Sequence, residues 1–168
     1  ITEACEYGRS FLSLTPDIGV ILNCDYDHPD TYPTEESLQQ AFIQFADQSK
    51  IAIIEEEACQ SLDLKLRTDR DKVYTFGFGE KSYYRAVNVK NEEGKFTFDA
   101  LCDGEYIGSF SLNVYGRHNV LNALAVIAVC HLNWLDMREV AEYINTFEGV
   151  DIRFSKRGNT SSGAQVIV

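Results

Sequence analysis

Three aspartates and a histidine crowd one stretch, Asn23-Cys-Asp25-Tyr-Asp27-His28-Pro-Asp30, directly after the apolar run Ile18-Gly-Val-Ile-Leu22. Carboxylates with one imidazole suit a hard or borderline divalent cation such as Mg²⁺ or Mn²⁺. The stretch also reads as an acidic loop in which Asp30 or Thr31 satisfies backbone donors of a following helix and His28 is an ordinary surface residue. Pro29 restricts the residue before it, so His28 is expected in extended backbone. A second acidic pair, Glu3 and Glu6 in Glu3-Ala-Cys-Glu6, opens the chain and means little by itself.

Further along, Gly116-Arg-His-Asn119-Val-Leu-Asn122 leads into an apolar helical run, which puts Asn119 and Asn122 one turn apart on one side of the helix start. Side-chain amides there can read the donor and acceptor edge of a base, and Asn119 can equally cap the helix. Arg153, in Gly149-Val-Asp-Ile-Arg153-Phe, fits a phosphate clamp and a structural ion pair alike. No G-x-x-x-x-G-K-[ST] phosphate loop occurs, and Gly77-Phe-Gly79 lacks the third glycine of a dinucleotide fingerprint. The cysteines have no paired histidine motif, and Ser10 and Ser13 stand outside any nucleophile elbow, so covalent catalysis has no support.

These groups need a scaffold, and the hydrophobic pattern supplies one. Ile18-Gly-Val-Ile-Leu22 and Ile51-Ala-Ile-Ile54 are continuous apolar runs, as expected of parallel strands buried on both faces. Between them Thr34 can cap a helix with Glu35 and Glu36 in its first turn and an apolar stripe of Leu38, Ala41, Phe42 and Phe45. That is a βαβ unit, and ligands of open parallel sheets bind beyond the carboxyl ends of the strands, where the 23–30 stretch would lie. From Val73 the period becomes two: Tyr74, Phe76 and Phe78, then Phe96, Phe98 and Ala100, then Phe110, Leu112 and Val114. With turn signals at Asn91-Glu-Glu-Gly94 and Asp103-Gly104, this predicts a small appended antiparallel meander. A core helix over residues 120–130 follows, then a second helix with Asp136 and Glu139 as a capping box and an apolar stripe of Val140, Ala141, Ile144 and Phe147. The expected class is α/β: a mostly parallel sheet flanked by helices with a small antiparallel sheet appended.

The bulk numbers bound the function. A chain of 168 residues with 45% hydrophobic content can close one ordinary core. A formal net charge of -11 argues against nucleic-acid or anionic-membrane surfaces and makes a cation the natural mediator of any nucleotide binding. The longest apolar run, 120–130, falls short of the roughly 20 residues a membrane span needs. Five scattered cysteines without a C-x-x-C suggest reduced thiols in a cytoplasmic protein rather than disulfides or zinc. The opening without methionine and the apolar finish Gln165-Val-Ile-Val168 both look cut.

Taken together, Glu3-Ala-Cys-Glu6-Tyr-Gly-Arg-Ser-Phe-Leu12, Asn23-Cys-Asp-Tyr-Asp-His28-Pro-Asp-Thr-Tyr32, Gly116-Arg-His-Asn-Val-Leu-Asn-Ala-Leu-Ala125 and Gly149-Val-Asp-Ile-Arg-Phe154 resemble the motifs of the Mur ligase family, in family order. The resemblance is to the central, ATPase-type domain. Its E-A-x-E and D-H-x-D-T-Y stretches are most similar to the branch that joins L-alanine to UDP-N-acetylmuramate in peptidoglycan precursor synthesis.

The resemblance implies a cytoplasmic ATP-dependent ligase that converts a carboxylate into an acyl phosphate, which the incoming amine attacks. By motif, Glu3 and His28 resemble the family's ligands for Mg²⁺ between the γ-phosphate and the substrate carboxylate. Asn119 and Asn122 resemble the adenine contacts, and Arg153 the arginine that reaches the γ-phosphate. Glu6, Asn23, Asp25 and Asp27 would support them. Glu3 and His28 are therefore expected to approach one another, and both asparagines to share a cleft with Arg153. Ile152 stands where alanine-adding relatives often carry a second arginine, so no contact is carried to it. The resemblance also implies that a phosphate loop and a UDP-binding domain precede residue 1, and a C-terminal domain follows residue 168, leaving residues 1–168 inactive alone. A related ligase that adds a whole recycled peptide to the same muramyl nucleotide, and a noncatalytic Mur-fold binding domain, are the competing readings.

Overall fold

The computed structural model describes residues 1–62, 72–92, 95–149, 156–163 and 165–167. Arg153, Ile152 and the turn residues Glu93 and Gly94 lie outside them.

Strand β1 (Ile18–Ile21), helix α1 (Glu35–Gln48) and strand β2 (Ile51–Glu55) form the expected βαβ unit, with β1 and β2 parallel. Thr34 starts α1 as foreseen. Its hydroxyl accepts Ser37 N–H at 3.2 Å and the Ser37 hydroxyl reaches back to the Thr34 backbone, so the reciprocal partner is serine instead of the usual Glu or Gln. A short helix α2 (Glu56–Leu62) then leads toward β3 (Val73–Gly77), which pairs parallel with β2. The pattern gave no sign of α2. It is capped by the buried Glu55, whose carboxylate accepts Glu57 N–H at 2.7 Å and Ala58 N–H at 3.0 Å.

An antiparallel meander is present, but its strands are β4 (Tyr84–Glu92), β5 (Lys95–Cys102) and β6 (Glu105–Leu112); the Tyr74, Phe76 and Phe78 run expected to open it is β3, which pairs parallel with β2 instead. The meander continues the same sheet, in the order β1-β2-β3-β4-β5-β6, because β4 bonds to β3 in parallel through Phe76 with Tyr84 and Gly77 with Arg85. That pairing joins the end of β3 to the start of β4, so the antiparallel half carries on beyond the carboxyl end of β3. At the β5–β6 turn, Asp103 (φ 49°) and Gly104 (φ 84°) both take the left-handed backbone that a two-residue hairpin with the right twist requires.

Two cores sandwich the sheet. Alternation along β2 sends Ala52 and Ile54 to the α1 and α2 face with Leu38 and Phe45, and Ile53 to the other face with Phe76, Leu124 and Ile127. Helix α3 (His118–Leu132) fills that second face, and α4 (Met137–Thr146) packs against β6. Asp136 caps α4 by accepting Arg138 N–H at 2.9 Å, one residue short of the capping box expected with Glu139. Of the α4 stripe, Val140 is buried whereas Phe147 is exposed just past the helix end. Strands β7 (Lys156–Asn159) and β8 (Gln165–Ile167) form a separate antiparallel pair. The α/β class with a mostly parallel, helix-flanked sheet and an antiparallel addition is as expected. Among the described residues no helix is long and apolar enough to cross a membrane.

Candidate active site

The loop after β1 holds His28, and the chain start is fastened to it. Tyr32 is fully buried and donates its hydroxyl to the Glu6 carbonyl at 2.8 Å, Tyr26 donates to the Tyr32 carbonyl at 2.8 Å, and Gly8 N–H donates to the Thr31 hydroxyl at 3.3 Å. Thus the two acidic motifs, 26 residues apart at Glu6 and Tyr32, meet beyond the carboxyl end of β1. His28 Nε2 lies 3.2 Å from Glu6 Oε1 and 3.9 Å from Asp27 Oδ2, with the Tyr7 ring 5.4 Å away. Glu3 is exposed three residues upstream of Glu6 and is not among the side chains that touch His28.

His28 does not take the extended backbone expected before proline. Its φ is +56°, in the left-handed region. Asp27 Oδ1 accepts the His28 N–H at 2.6 Å, and the His28 carbonyl accepts Thr31 and Tyr32 N–H at 2.9 Å each, so a local turn outweighs the proline preference. Thr31 does satisfy a backbone donor, but that of Gly8, while Thr34 caps the helix. Cys24, in the same loop, is no nucleophile: burial pushes its thiol up to about 11, with Asp25 and Glu35 adding to the shift.

The second half of the site is the start of α3. The helix-capping reading of Asn119 does not hold, because Arg117 occupies the cap position and Asn119 lies inside the first turn. Asn119 donates its amide to the Tyr115 carbonyl at 2.7 Å, and Asn122 donates to Asn119 Oδ1 at 3.1 Å. This relay fixes both amides on one side of the helix, as the spacing implied. Asn122 is left exposed with its carbonyl oxygen and one N–H still to offer, the paired acceptor and donor that match the amino group and adjacent ring nitrogen of adenine.

Arg117 lies 4.1 Å over the centroid of the Phe78 ring, which ties α3 to the residue immediately after β3. The segment following β3 is held in turn by Glu56, at the carboxyl end of β2: Glu56 Oε2 accepts Gly79 N–H at 2.9 Å and the Ser82 hydroxyl at 2.8 Å. Beside it, burial pushes the Glu55 carboxyl up from its ordinary range, against two backbone bonds that pull it down. Glu55, Glu56, Phe78 and Arg117 were not foreseen as site residues. The available signal was the acidic run Glu55-Glu-Glu57 directly after an apolar strand, the same arrangement that drew attention to Asp25 and His28.

The ends of β1 and β3 are two strand spacings apart, about 10 Å, so the His28 loop and the Asn119 face lie along one edge of the sheet. An extended nucleoside triphosphate can bridge that distance. Among the described residues no group of three or more His, Cys, Asp or Glu converges as a cage for a metal ion. Magnesium is ordinarily held by one or two protein ligands plus substrate phosphates and waters, so the sparse set at His28 and the two glutamates fits that ion better than a structural metal.

A family model, the Mur ligase middle domain, matches residues 1–130. Among solved structures, UDP-N-acetylmuramate-alanine ligase MurC from Thermotoga maritima superposes with a TM-score of 0.78 at 27% identity, covering 95% of this chain and 36% of that one. The UDP-N-acetylmuramate:L-alanyl-gamma-D-glutamyl-meso-diaminopimelate ligase from Neisseria meningitides gives 0.70 at 24% identity, over 84% of this chain and 43% of that one. MurF from Thermotoga maritima, solved in complex with ADP, shares the fold at a TM-score of 0.65 and 18% identity, over 90% of this chain and 35% of that one. The chain therefore spans less than half the length of each of these three structures.

Proposed function

The chain belongs to the Mur ligase family, as its middle domain, and on that premise we propose that the whole protein joins L-alanine to UDP-N-acetylmuramate at the expense of ATP, in the cytoplasm. The observation that carries this reading is the agreement with MurC over 95% of the chain. The loop contacts support it, since the E-A-x-E opening and the D-H-x-D-T-Y stretch belong to one hydrogen-bonded unit.

In this reading Glu3 and His28 would hold Mg²⁺, which when bound neutralises charge on the phosphates and the substrate carboxylate. Glu6, 3.2 Å from the imidazole, orients His28. Asn122 binds the edge of adenine and Asn119 holds Asn122 in place. Arg153 is assigned to the γ-phosphate by motif alone. Positioning is the main contribution of these side chains, because acyl-phosphate formation needs the carboxylate in line with the transferred phosphoryl group and amine attack needs the amine held against the acyl carbon.

The test is a ligase assay on the polypeptide encoded by the complete reading frame that contains this sequence. Phosphate release should require ATP, Mg²⁺, UDP-N-acetylmuramate and L-alanine together. Release with an L-alanyl-containing peptide but not with free L-alanine would favour the peptide-adding relative instead. Residues 1–168 alone, which contain no phosphate-loop motif, should release none above background.

A further inference from the structure

Among the described residues the Arg117 guanidinium has no carboxylate partner and no side-chain hydrogen bond, although acidic residues outnumber basic ones 26 to 15 in the chain. Its contact is the Phe78 ring at 4.1 Å, a face contact that occupies one side of the guanidinium and leaves the other side exposed. The backbone that carries the ring is itself held. Arg85 Nε donates to the Phe78 carbonyl at 3.3 Å, and Glu56 holds the next residue, Gly79, by its N–H at 2.9 Å. So the guanidinium rests on a fixed support two residues before Asn119.

We propose that Arg117, backed by Phe78, is the stacking surface for the nucleotide base, and hence a specificity-determining residue of the ATP site. This rests on the assignment of Asn119 and Asn122 to adenine. Asn122 can select the base edge, but an exposed amide alone gives little affinity, because water competes for its bonds. A planar cation already laid on an aromatic ring supplies a second flat face without further ordering of a long side chain. In this arrangement the base edge would meet the Asn122 amide, about one and a half turns further along α3. Lysine cannot replace arginine in this role, since an ammonium has charge but no plane.

Direct binding to the complete protein separates the alternatives, using ATP and inorganic tripolyphosphate as probes on the wild type, Arg117→Ala, Arg117→Lys, Phe78→Leu and Asn122→Ala. The exposed position of Arg117 means its variants should melt as the wild type does. The expected result is about ten-fold weaker ATP binding for Arg117→Ala and Arg117→Lys alike, with tripolyphosphate binding unchanged. Phe78→Leu should lie between these variants and the wild type. Full retention of ATP affinity by Arg117→Lys, or equal loss of tripolyphosphate affinity, would mean that Arg117 acts by charge and would overturn the proposal. If Asn122→Ala weakens ATP while Arg117→Ala does not, the adenine assignment stands and the stacking role falls. If neither variant changes ATP binding, both fall.

Discussion

Replacing Gly79 by alanine should unlatch the segment after β3, and the cost can be worked from its contacts. An added Cβ would collide with both carboxylate oxygens of Glu56. Gly79 is not in the left-handed region, so alanine fits the backbone, and Glu56 is flexible enough to swing away. What is lost is therefore the pair of bonds that Glu56 accepts from Gly79 N–H at 2.9 Å and the Ser82 hydroxyl at 2.8 Å. Bonds to an ionised group contribute roughly 1.5–3 kcal/mol each, and with partial burial the expected loss is about 2–4 kcal/mol. In a domain of this size that lowers Tm by about 5–15 °C. Equilibrium unfolding of Gly79→Ala, Glu56→Ala and the double variant measures it. In the Glu56→Ala background the alanine at 79 should cost no more than about 0.5 kcal/mol. An undiminished cost there would show that the carboxylate is not what position 79 accommodates, and would refute the reasoning.

Other expectations follow from single contacts. Trp134 stands at φ +60° just past the end of α3, where its N–H bonds to the His131 carbonyl at 3.0 Å and Leu135 N–H to the Cys130 carbonyl at 3.1 Å, a helix ending that favours glycine. Its side chain is 93% exposed, so Trp134→Gly forfeits little packing and should stabilise the fold by about 0.5–1 kcal/mol in urea unfolding; a loss would indicate that the indole is held. Leu124 is fully buried under the sheet, and Leu124→Ala should cost about 2–5 kcal/mol in the same assay. Hydrogen bonds from Asn88 and Ser109 hold the Asp99 carboxyl below its ordinary range. A depressed folded value means stability present above the unfolded value of 3.8 and lost as pH falls through the folded one. Asp99→Asn should therefore cost a few tenths of a kcal/mol at pH 6 and nothing near pH 2, the small size reflecting an exposed site; a cost independent of pH would rule out the carboxylate as its source.

The parallel half of the sheet was legible because its signals are local. Apolar runs flank Thr34, and each run is bounded by polar residues. Strand β3 was read from Tyr74, Phe76 and Phe78 as part of the meander, yet it pairs parallel with β2 and buries Thr75 too, because a strand with neighbours and helices on both sides has no solvent face. Strand β4 escaped notice because its alternation breaks at Asn88, a left-handed residue where the register with β5 shifts. Helix α2 was hidden for another reason: three successive glutamates look like a loop unless one of them is known to be its cap.

At the site, chain-local rules succeeded for Asn119 and Asn122, whose spacing alone puts them on one side of a helix. They failed for His28, where the turn bonds to Asp27, Thr31 and Tyr32 overrode the proline rule. The placement of Glu56, Phe78 and Arg117 beside these groups rests on contacts 23 or more residues apart along the chain, which no periodicity encodes.

We infer that one nucleotide site runs along the carboxyl edge of the parallel sheet, from the His28 loop to the start of α3. The direct test is to titrate the complete protein, isotopically labelled, with ATP and Mg²⁺ and to follow the backbone and side-chain amide resonances of this segment. Shifts should be confined to residues 3–8, 25–32, 78–82, 115–122 and Arg153, with the side-chain amides of Asn119 and Asn122 among the largest, and none at Trp134 or Asn145. Shifts clustered on α4 or on the solvent face of the antiparallel strands, with Asn119 and Asn122 unmoved, would contradict it.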